Sequence, residues 1–330
     1  MPRPHVVRLR RARSTAAAAF AVLALAACGD APPLPVAPRP EAVVAAGSAG
    51  TQGRIAYASL RNSRFGLDIY VLDVAKGSSK RLTRARGADD APAWSPDGQK
   101  IAYENASPVG AGRQIYVMSA TGDGARPITN AADHGSDNTH PSWSPDGTRL
   151  LFASSLPGGS GVDVYSIPAD GSGPAVNLTN EPTLYNLEPA WAPDAGGGVK
   201  FAYTTNRGGA GLDVWVYDDS KTPALTQLTT GGARMPAWSP DGAKLAYVAQ
   251  VNGFFDVFVV SADGTGSPTN LTNTAAAHEQ QPHWSPDGSK LTFVSSRDGN
   301  NELYLVNADG TAPRRLTVNT VLDRSPSWQP

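Results

Sequence analysis

Cysteine is almost missing from this chain, because Cys28 is the only one among 330 residues. A single cysteine excludes an intrachain disulfide, so the folded part must be stable through its core alone. An excess of basic residues is missing as well, since 28 Lys and Arg stand against 29 Asp and Glu. Because nucleic-acid binding needs a basic stripe, this composition argues against a nucleic-acid partner.

Amphipathic helices are missing too. After residue 50, no segment longer than about ten residues shows helical spacing of its apolar residues. The chain instead has short runs of β-branched and aromatic residues, separated by clusters rich in Gly, Pro, Asp and Asn. This pattern is typical of strands and turns, so the sequence predicts an all-β fold.

Familiar catalytic motifs are also missing. The sequence has no His-Glu-x-x-His metal motif and no Gly-x-Ser-x-Gly nucleophile turn. Apart from His5, the histidines are His134, His140, His278 and His283. We therefore expect a protein that is not an enzyme and that holds no cofactor or metal. A lyase or hydrolase site in a central channel is the alternative.

The first 27 residues have the composition of a signal peptide. Five arginines and no acidic residue are followed by an apolar run from Ala16 to Ala27, which is too short for a permanent transmembrane helix. The sequence Leu25-Ala26-Ala27-Cys28 resembles the box at which bacterial lipoproteins are cleaved and lipidated. We predict a lipoprotein signal peptide over residues 1–27 and lipidation at Cys28; an ordinary signal peptide is the alternative.

Residues 28–52 are predicted to form a Pro/Ala-rich tether that begins with the lipidated cysteine. The segment contains five prolines and shows no apolar period. Gly29, and not Asp, follows the cysteine, which in enteric-type sorting implies the outer membrane, facing the periplasm. Removal of residues 1–27 takes away five arginines and no acid, so the net charge changes from −1 to about −6.

One phrase is repeated six times in the rest of the chain. A tryptophan preceded by Pro two positions earlier recurs at intervals of 44 to 49 residues. The six are Trp94, Trp143, Trp191, Trp238, Trp284 and Trp328. Five of them open a Trp-Ser/Ala-Pro-Asp sequence, which suits a tight hairpin turn. Each tryptophan is expected to fill the wedge between neighbouring repeats.

Three further strands recur in each repeat. The second strands centre on Ile55, Ile101, Leu150, Val199–Phe201, Leu245 and Leu291. The third strands are Asp68–Val71, Gln114–Val117, Asp163–Ser166, Asp213–Val216, Asp256–Val259 and Glu302–Leu305. The fourth strands are predicted at Leu82, Ile128, Leu178, Leu228, Leu271 and Leu316, each of which is followed by Thr.

Four strands in a period of this length indicate a propeller blade. The last copy of the repeat stops at Pro330, whereas the first copy lacks its tryptophan strand. The sequence therefore predicts a six-bladed β-propeller over residues 53–330. In this ring the N-terminal strands pair with the C-terminal strand and leave no free sheet edge.

The sequence Pro-Ser-Trp-Ser-Pro-Asp-Gly-Thr-Arg-Leu, from Pro141 to Leu150, resembles the signature of TolB-type propellers. The Asp-Ile-Tyr-Val strands and the Leu-Thr endings resemble that family too, and the resemblance covers residues 53–330. It implies a propeller of the bacterial envelope that recognises a partner. A folded α/β domain precedes the propeller in TolB, whereas only residues 29–52 separate Cys28 from the ring here. We therefore expect a TolB-like lipoprotein variant without that domain.

Polar residues cluster just before each tryptophan. Five positions before it stand Asp89, Asn138, Asn186, Ala233, Glu279 and Asp323, and near these stand Asp90, His140, Glu188, Arg234 and Arg324. Because the first strand of a blade lines the channel, these residues are predicted to form a binding collar at the channel mouth. Hydrogen bonding between blades would explain the same residues, and both interpretations stay open.

The sequence thus favours a monomeric binding or scaffold propeller, attached to the membrane through Cys28. Its expected partner is an envelope protein or peptide that docks at the channel mouth. A carbohydrate-binding or cell-wall-binding propeller of the same geometry is the first alternative.

Overall fold

The structure is a computed structural model that describes residues 53–62, 66–84, 87–106, 112–130, 137–155, 160–194, 198–209 and 211–330. Within these ranges, 24 strands form six antiparallel four-stranded sheets, which are the blades of a propeller. The predicted fold class and blade count are therefore confirmed. The signal peptide, the lipidated Cys28 and the tether, all predicted within residues 1–52, lie outside the described residues. No helix in the described ranges is long and apolar enough to span a bilayer.

The blades are numbered along the chain, and the strands of each are given from the channel outwards. Blade 1 contains β24 (Asp323–Trp328), β1 (Arg54–Ser59), β2 (Asp68–Asp73) and β3 (Ser78–Arg81). Blade 2 contains β4 (Ala88–Trp94), β5 (Lys100–Ala106), β6 (Arg113–Ser119) and β7 (Arg126–Pro127). Blade 3 contains β8 (Asn138–Trp143), β9 (Arg149–Ser154), β10 (Asp163–Pro168) and β11 (Val176–Asn177).

The other three blades follow the same order. Blade 4 contains β12 (Asn186–Trp191), β13 (Lys200–Thr205), β14 (Asp213–Asp218) and β15 (Leu225–Gln227). Blade 5 contains β16 (Arg234–Trp238), β17 (Lys244–Val251), β18 (Phe254–Ser261) and β19 (Thr269–Asn270). Blade 6 contains β20 (Glu279–Trp284), β21 (Lys290–Ser295), β22 (Glu302–Asn307) and β23 (Arg314–Arg315).

Blade 1 closes the ring as predicted. Strand β24 pairs antiparallel with β1, and Ile55 lies opposite Trp328. The pairing continues past the strand, because Gln329 N donates to Arg54 O at 2.8 Å and Arg54 Nε donates to Gln329 Oε1 at 2.6 Å. The two ends of the ring are thus held by hydrogen bonds without a covalent link.

The six repeated tryptophans pack between neighbouring blades, as predicted. Trp94, for example, belongs to a buried cluster that contains Ile69 of blade 1 and Ile101 of blade 2. The other five tryptophans occupy equivalent clusters at the remaining boundaries, and all six have at most 9% of their surface exposed. Since a buried aromatic side chain removes a large apolar area from water, these contacts are a main source of cohesion between blades.

The residue just before each repeated tryptophan determines which N–H group of the tryptophan in the following blade donates a hydrogen bond to it. Where this residue is Ser or His, the backbone N–H of the next tryptophan donates to its side chain: Trp191 to Ser142 (2.9 Å), Trp94 to Ser327 (3.4 Å) and Trp328 to His283 Nδ1 (3.3 Å). Where it is Ala, the indole N–H donates to the Ala carbonyl: Trp143 to Ala93 (3.0 Å), Trp238 to Ala190 (3.0 Å) and Trp284 to Ala237 (3.2 Å). The indole N–H groups of the first three have no acceptor among the described residues.

The Leu-Thr sequences come directly after the outer strands along the chain and are not part of them, which corrects the predicted fourth strands. Each outer strand ends at the residue immediately before Leu82, Ile128, Leu178, Leu228, Leu271 or Leu316. The threonine that follows takes over the pairing with its side chain. Thr83 Oγ1 accepts the Ile69 N–H at 2.9 Å, and the other five threonines accept the equivalent N–H at 2.9 to 3.1 Å.

The Trp-Ser-Pro-Asp-Gly sequences form hydrogen-bonded turns between the first two strands. In blade 5, Ser239 Oγ donates to Asp241 Oδ1 at 2.6 Å and accepts the Lys244 N–H at 2.9 Å. Gly242 has φ +69°, a conformation that suits glycine. The hydrogen bond from the Ser239 hydroxyl is the main cause that lowers the pKa of Asp241 below its usual value. We call the end of the ring that carries these turns the turn face.

Candidate functional site

The inner strands line a central channel that holds two cavities. The cavity towards the beginning of the inner strands has a volume of about 290 Å³ and is lined by residues that include His140, Glu188, Met235 and Gln281. The cavity at the turn face has a volume of about 360 Å³ and is lined by the repeated tryptophans and the prolines that follow them. Ala93, Ser142, His283 and Ser327, each of which precedes a repeated tryptophan, line both cavities, and we call their level the waist of the channel.

Every inner strand has a bulge above this waist. The register shifts at the same place in all six blades, around the Pro two positions before the tryptophan. The residue before that Pro has a positive φ of 45° to 57°: Ala91, His140, Glu188, Met235, Gln281 and Ser325. Proline cannot donate a ladder hydrogen bond, which explains the bulge. A non-glycine residue in this conformation costs on the order of 1 kcal/mol or more and must be held by its surroundings.

Side chains of the preceding blade hold three of these strained residues. Met235 N donates to Glu188 Oε2 at 2.8 Å, and Ser325 N donates to Gln281 Oε1 at 2.9 Å. His140 N donates to Glu104 Oε1 at 2.7 Å. The channel wall is therefore tied from blade to blade, which fixes the positions of the side chains that face the channel.

Two residues of the predicted collar, Asn138 and Asn186, are buried between blades. Neither has exposed surface. Asn138 Nδ2 donates to Gln114 Oε1 of the preceding blade at 3.0 Å, and Asn186 Nδ2 donates to Asp163 Oδ1 at 3.2 Å. Asp163 also accepts from Thr179 Oγ1 at 2.6 Å. Since Asp163 opens a third strand and Thr179 belongs to a Leu-Thr sequence, this network explains why both motifs recur.

The acidic members at the same position are buried as well. Asp89, Glu279 and Asp323 are each at most 1% exposed, and burial raises the pKa of all three. Asn105 Nδ2 donates to Asp89 at 2.6 Å, and Arg297 pairs with Glu279 at 3.1 Å. The structure thus places this position inside the wall, where hydrogen bonding accounts for it.

The next position along each inner strand is polar in five of the six blades. Asp90, Thr139, Leu187, Arg234, Gln280 and Arg324 stand four positions before their tryptophans, and we call the ring that they form the polar mouth. Arg324 pairs with Asp90, and Ser325 Oγ donates to Asp90 Oδ1 at 2.9 Å, so blades 1 and 2 are tied at this level. Of the predicted collar, His140 and Glu188 line the cavity, whereas Asp90, Arg234 and Arg324 belong to the polar mouth.

Sequence reasoning missed Glu104, which lies beneath the polar mouth. It is 2% exposed, pairs with Arg113 at 3.3 Å and lies 3.6 Å from His140 Nδ1. Burial raises the pKa of this carboxyl. The available signal was a break in the repeat, because Glu104 stands where the other second strands have Ala, Thr or Val.

The histidines divide between the channel and the surrounding surface. His140 and His283 line the same cavity from opposite blades, whereas His278 packs against Phe254 and Phe255. His134 lies outside the described residues. Desolvation lowers the pKa of His283, so its ring is neutral at pH 7 and accepts the Trp328 N–H at Nδ1. No cluster of three or more His, Cys, Asp or Glu that could hold a metal occurs in the described part of the chain.

A family model described as the TolB β-propeller domain matches residues 41–235, 131–279 and 233–330. The chain belongs to the TolB β-propeller family.

Solved structures share this fold, and one curated protein is similar over a short segment. TolB from Acinetobacter baumannii is 27% identical, with a TM-score of 0.70 over 84% of this chain and 67% of that one. A putative TolB from Agrobacterium tumefaciens is 22% identical, with a TM-score of 0.63 over 81% and 89% of the two chains. An uncharacterized protein of Agrobacterium fabrum is 38% identical over 76 residues, so the match spans 23% of this chain and 25% of that relative.

Proposed function

We propose that this protein is a non-catalytic recognition propeller of the bacterial envelope, which binds a protein or peptide segment at the polar mouth. The observation that carries the proposal is the preorganised wall beneath that mouth. Strained residues are tied to the preceding blade at 2.7 to 2.9 Å around a cavity of about 290 Å³. A rigid concave site loses little conformational freedom on binding, which favours affinity.

The chemistry of the mouth favours a peptide. Its ring carries both signs of charge, an amide, a hydroxyl and an aliphatic side chain. Prolines of the inner strands, together with Met235, line the cavity below. A peptide segment offers matching charges, backbone hydrogen bonds and an apolar side chain for such a pocket.

Site-specific photo-crosslinking tests the proposal. A photo-reactive amino acid in place of Leu187, on the polar mouth, should capture a discrete partner in the native envelope. The same residue in place of Val176, which is 50% exposed on the outer strand β11, should not. A protease-sensitive adduct seen only at residue 187 supports a protein or peptide partner. Adducts that resist protease but yield to muramidase would establish the cell-wall alternative, and identical adducts at both sites would refute a mouth-directed function.

The proposal includes a lipid anchor at Cys28, which holds the protein at the outer membrane and faces the ring into the periplasm. The lipoprotein-like box and Gly29 support it. Full-length protein should incorporate labelled fatty acid and fractionate with the outer membrane, whereas Cys28→Ser should do neither. Membrane retention of the Cys28→Ser protein without label would contradict the anchor.

A further inference from the structure

The two arginines of the polar mouth differ in their partners. Arg324 pairs with Asp90. Arg234 stands in blade 5, opposite the Asp90 blade, and makes no salt bridge or hydrogen bond with any described residue; its buried Nε lacks an acceptor. The carboxylate on the neighbouring inner strand, Glu188, is occupied by Met235 N and by Thr204 Oγ1, both at 2.8 Å. Arg234 is therefore the uncompensated cation of the mouth.

An aromatic ring holds the Arg234 guanidinium in place. Its central carbon lies 4.8 Å from the centroid of Phe255. Phe255 is fixed in turn, because its N–H donates to His278 Nδ1 at 3.3 Å and its ring contacts the imidazole. Strands β17 and β18, at eight residues each, are the longest in the described part of the ring and supply this support. A stacked guanidinium keeps its terminal N–H groups available for a planar anion.

The neighbours of Arg234 extend the site in two directions. Gln280 occupies the same ring position in blade 6, and its side-chain amide makes no hydrogen bond with a described residue. Met235, the next residue along β16, lines the cavity below. Arg234 and Gln280 thus hold equivalent positions on neighbouring inner strands, and the residue after Arg234 lines the cavity.

We infer that Arg234 anchors a carboxylate of the bound peptide, with Gln280 as a second donor and the Met235 side of the cavity as the pocket for an adjoining apolar side chain. The inference rests on the proposed peptide-binding function and specifies its ligand. The carboxylate belongs either to an acidic side chain or to the C-terminus of the partner. A bidentate Arg–carboxylate pair supplies both the charge-assisted hydrogen bonds and the orientation.

Peptide selection on the purified full-length protein in detergent tests this inference. Two random libraries serve as probes, one with a free C-terminus and one displayed within a loop. We expect enriched peptides in which a carboxylate adjoins an apolar residue. Enrichment from the free-end library alone identifies a C-terminal carboxylate, and enrichment from both identifies an acidic side chain.

Variants then assign the contact. Arg234→Gln should weaken the binding of a selected synthetic peptide by about tenfold or more, with Arg234→Lys intermediate. Arg126→Gln removes the same charge from an exposed position on β7 and should leave the affinity unchanged. Neutralising the peptide carboxylate should lower the affinity of the wild type for the peptide by the same factor, and it should not change the affinity of Arg234→Gln. Thermal melts establish that each variant is folded.

The outcomes separate the two claims. Selected peptides that lack a carboxylate, or that bind Arg234→Gln as well as the wild type, overturn the anion subsite and leave the peptide-binding function standing. If neither library yields binders, the peptide-binding function fails together with the inference drawn from it.

Discussion

The backbone N–H of Trp191 donates to Ser142 Oγ over 2.9 Å, across the boundary between blades 3 and 4. Equivalent bonds at two other boundaries leave the indole N–H without an acceptor among the described residues, whereas the three Ala boundaries bond the indole N–H instead. The side chain just before each tryptophan, Ser or His in one case and Ala in the other, thus decides which nitrogen of the tryptophan in the following blade is hydrogen-bonded.

Ser142→Ala should give the boundary between blades 3 and 4 the hydrogen bonding that is seen at the three Ala boundaries. We expect the Trp191 indole N–H to donate to the carbonyl of residue 142, as Trp238 does to Ala190 at 3.0 Å. Because one hydrogen bond replaces another, the free energy of unfolding should fall by no more than about 1 kcal/mol. Chemical denaturation measures the loss, and the indole N–H resonance of Trp191 in an NMR spectrum reports the new bond. An unchanged resonance, or a loss above about 3 kcal/mol, contradicts the exchange.

Deletion of residues 324–330 should destabilise the whole ring. The deletion removes most of β24 and the Trp328 side chain, which is 3% exposed between blades 6 and 1. Loss of a buried Trp alone costs roughly 3–5 kcal/mol, so the melting temperature should fall steeply. The control is a circular permutant in which a short linker joins Pro330 to Gly53 and new ends open at Asn252-Gly253. If the truncated protein melts like the wild type, closure through β24 is wrong.

Asn186→Ala should destabilise the fold, because it leaves Asp163 with one fewer donor at a buried inter-blade position. Removal of one partner from a buried polar pair costs about 1–3 kcal/mol. Gln250→Ala removes an exposed amide from strand β17 and should have little effect. Denaturant unfolding of both variants measures the difference. Equal stability of the Asn186→Ala protein and the wild type would show that this position is dispensable to the wall.

Low pH should reduce the stability that the turns of the turn face contribute to the fold. Hydrogen bonds from Ser95, Ser144, Ser239 and Ser285 are the main causes that lower the pKa values of Asp97, Asp146, Asp241 and Asp287. An aspartate whose pKa is lower in the folded state than in the unfolded state stabilises the fold at pH values above its unfolded-state pKa of about 3.9. This stabilisation is lost as the pH falls through the folded-state pKa. The difference in free energy of unfolding between the wild type and Asp241→Asn should therefore be constant near pH 6. Below about pH 4 the wild type should lose stability relative to the variant. A difference that is independent of pH from 6 to 2.5 contradicts the assignment.

The repeat made most of the fold predictable. Trp328 lacks a blade of its own in the sequence, and pairing it with the strand around Ile55 follows from counting strands. The turns were also predictable, because Ser-Pro-Asp-Gly satisfies its own hydrogen bonds locally. The sequence predicts the outer strands one residue too far along the chain, because it does not reveal that Thr83 Oγ1 replaces a ladder partner of Ile69.

The candidate site was less predictable, because a bulge decides which side chains face the channel. Asn186 and Glu188 look alike in sequence, yet the first is buried between blades and the second lines the cavity. A regular strand would place both on the same face, and the positive φ of 53° at Glu188 breaks that alternation. Whether Arg234 has a salt-bridge partner depends on the side chains of the neighbouring blades, so it cannot be predicted from the sequence of one repeat.

Gly53 leads the chain into β1 directly against Trp328, where an added Cβ would lie 2.6 Å from the indole ring. This point is on the turn face, because Ile55 pairs with the residue that ends the inner strand. Gly53 therefore stands at the opposite end of the ring from Arg234 and Asp90. The tether that we propose would join the propeller at its base, away from the proposed binding site.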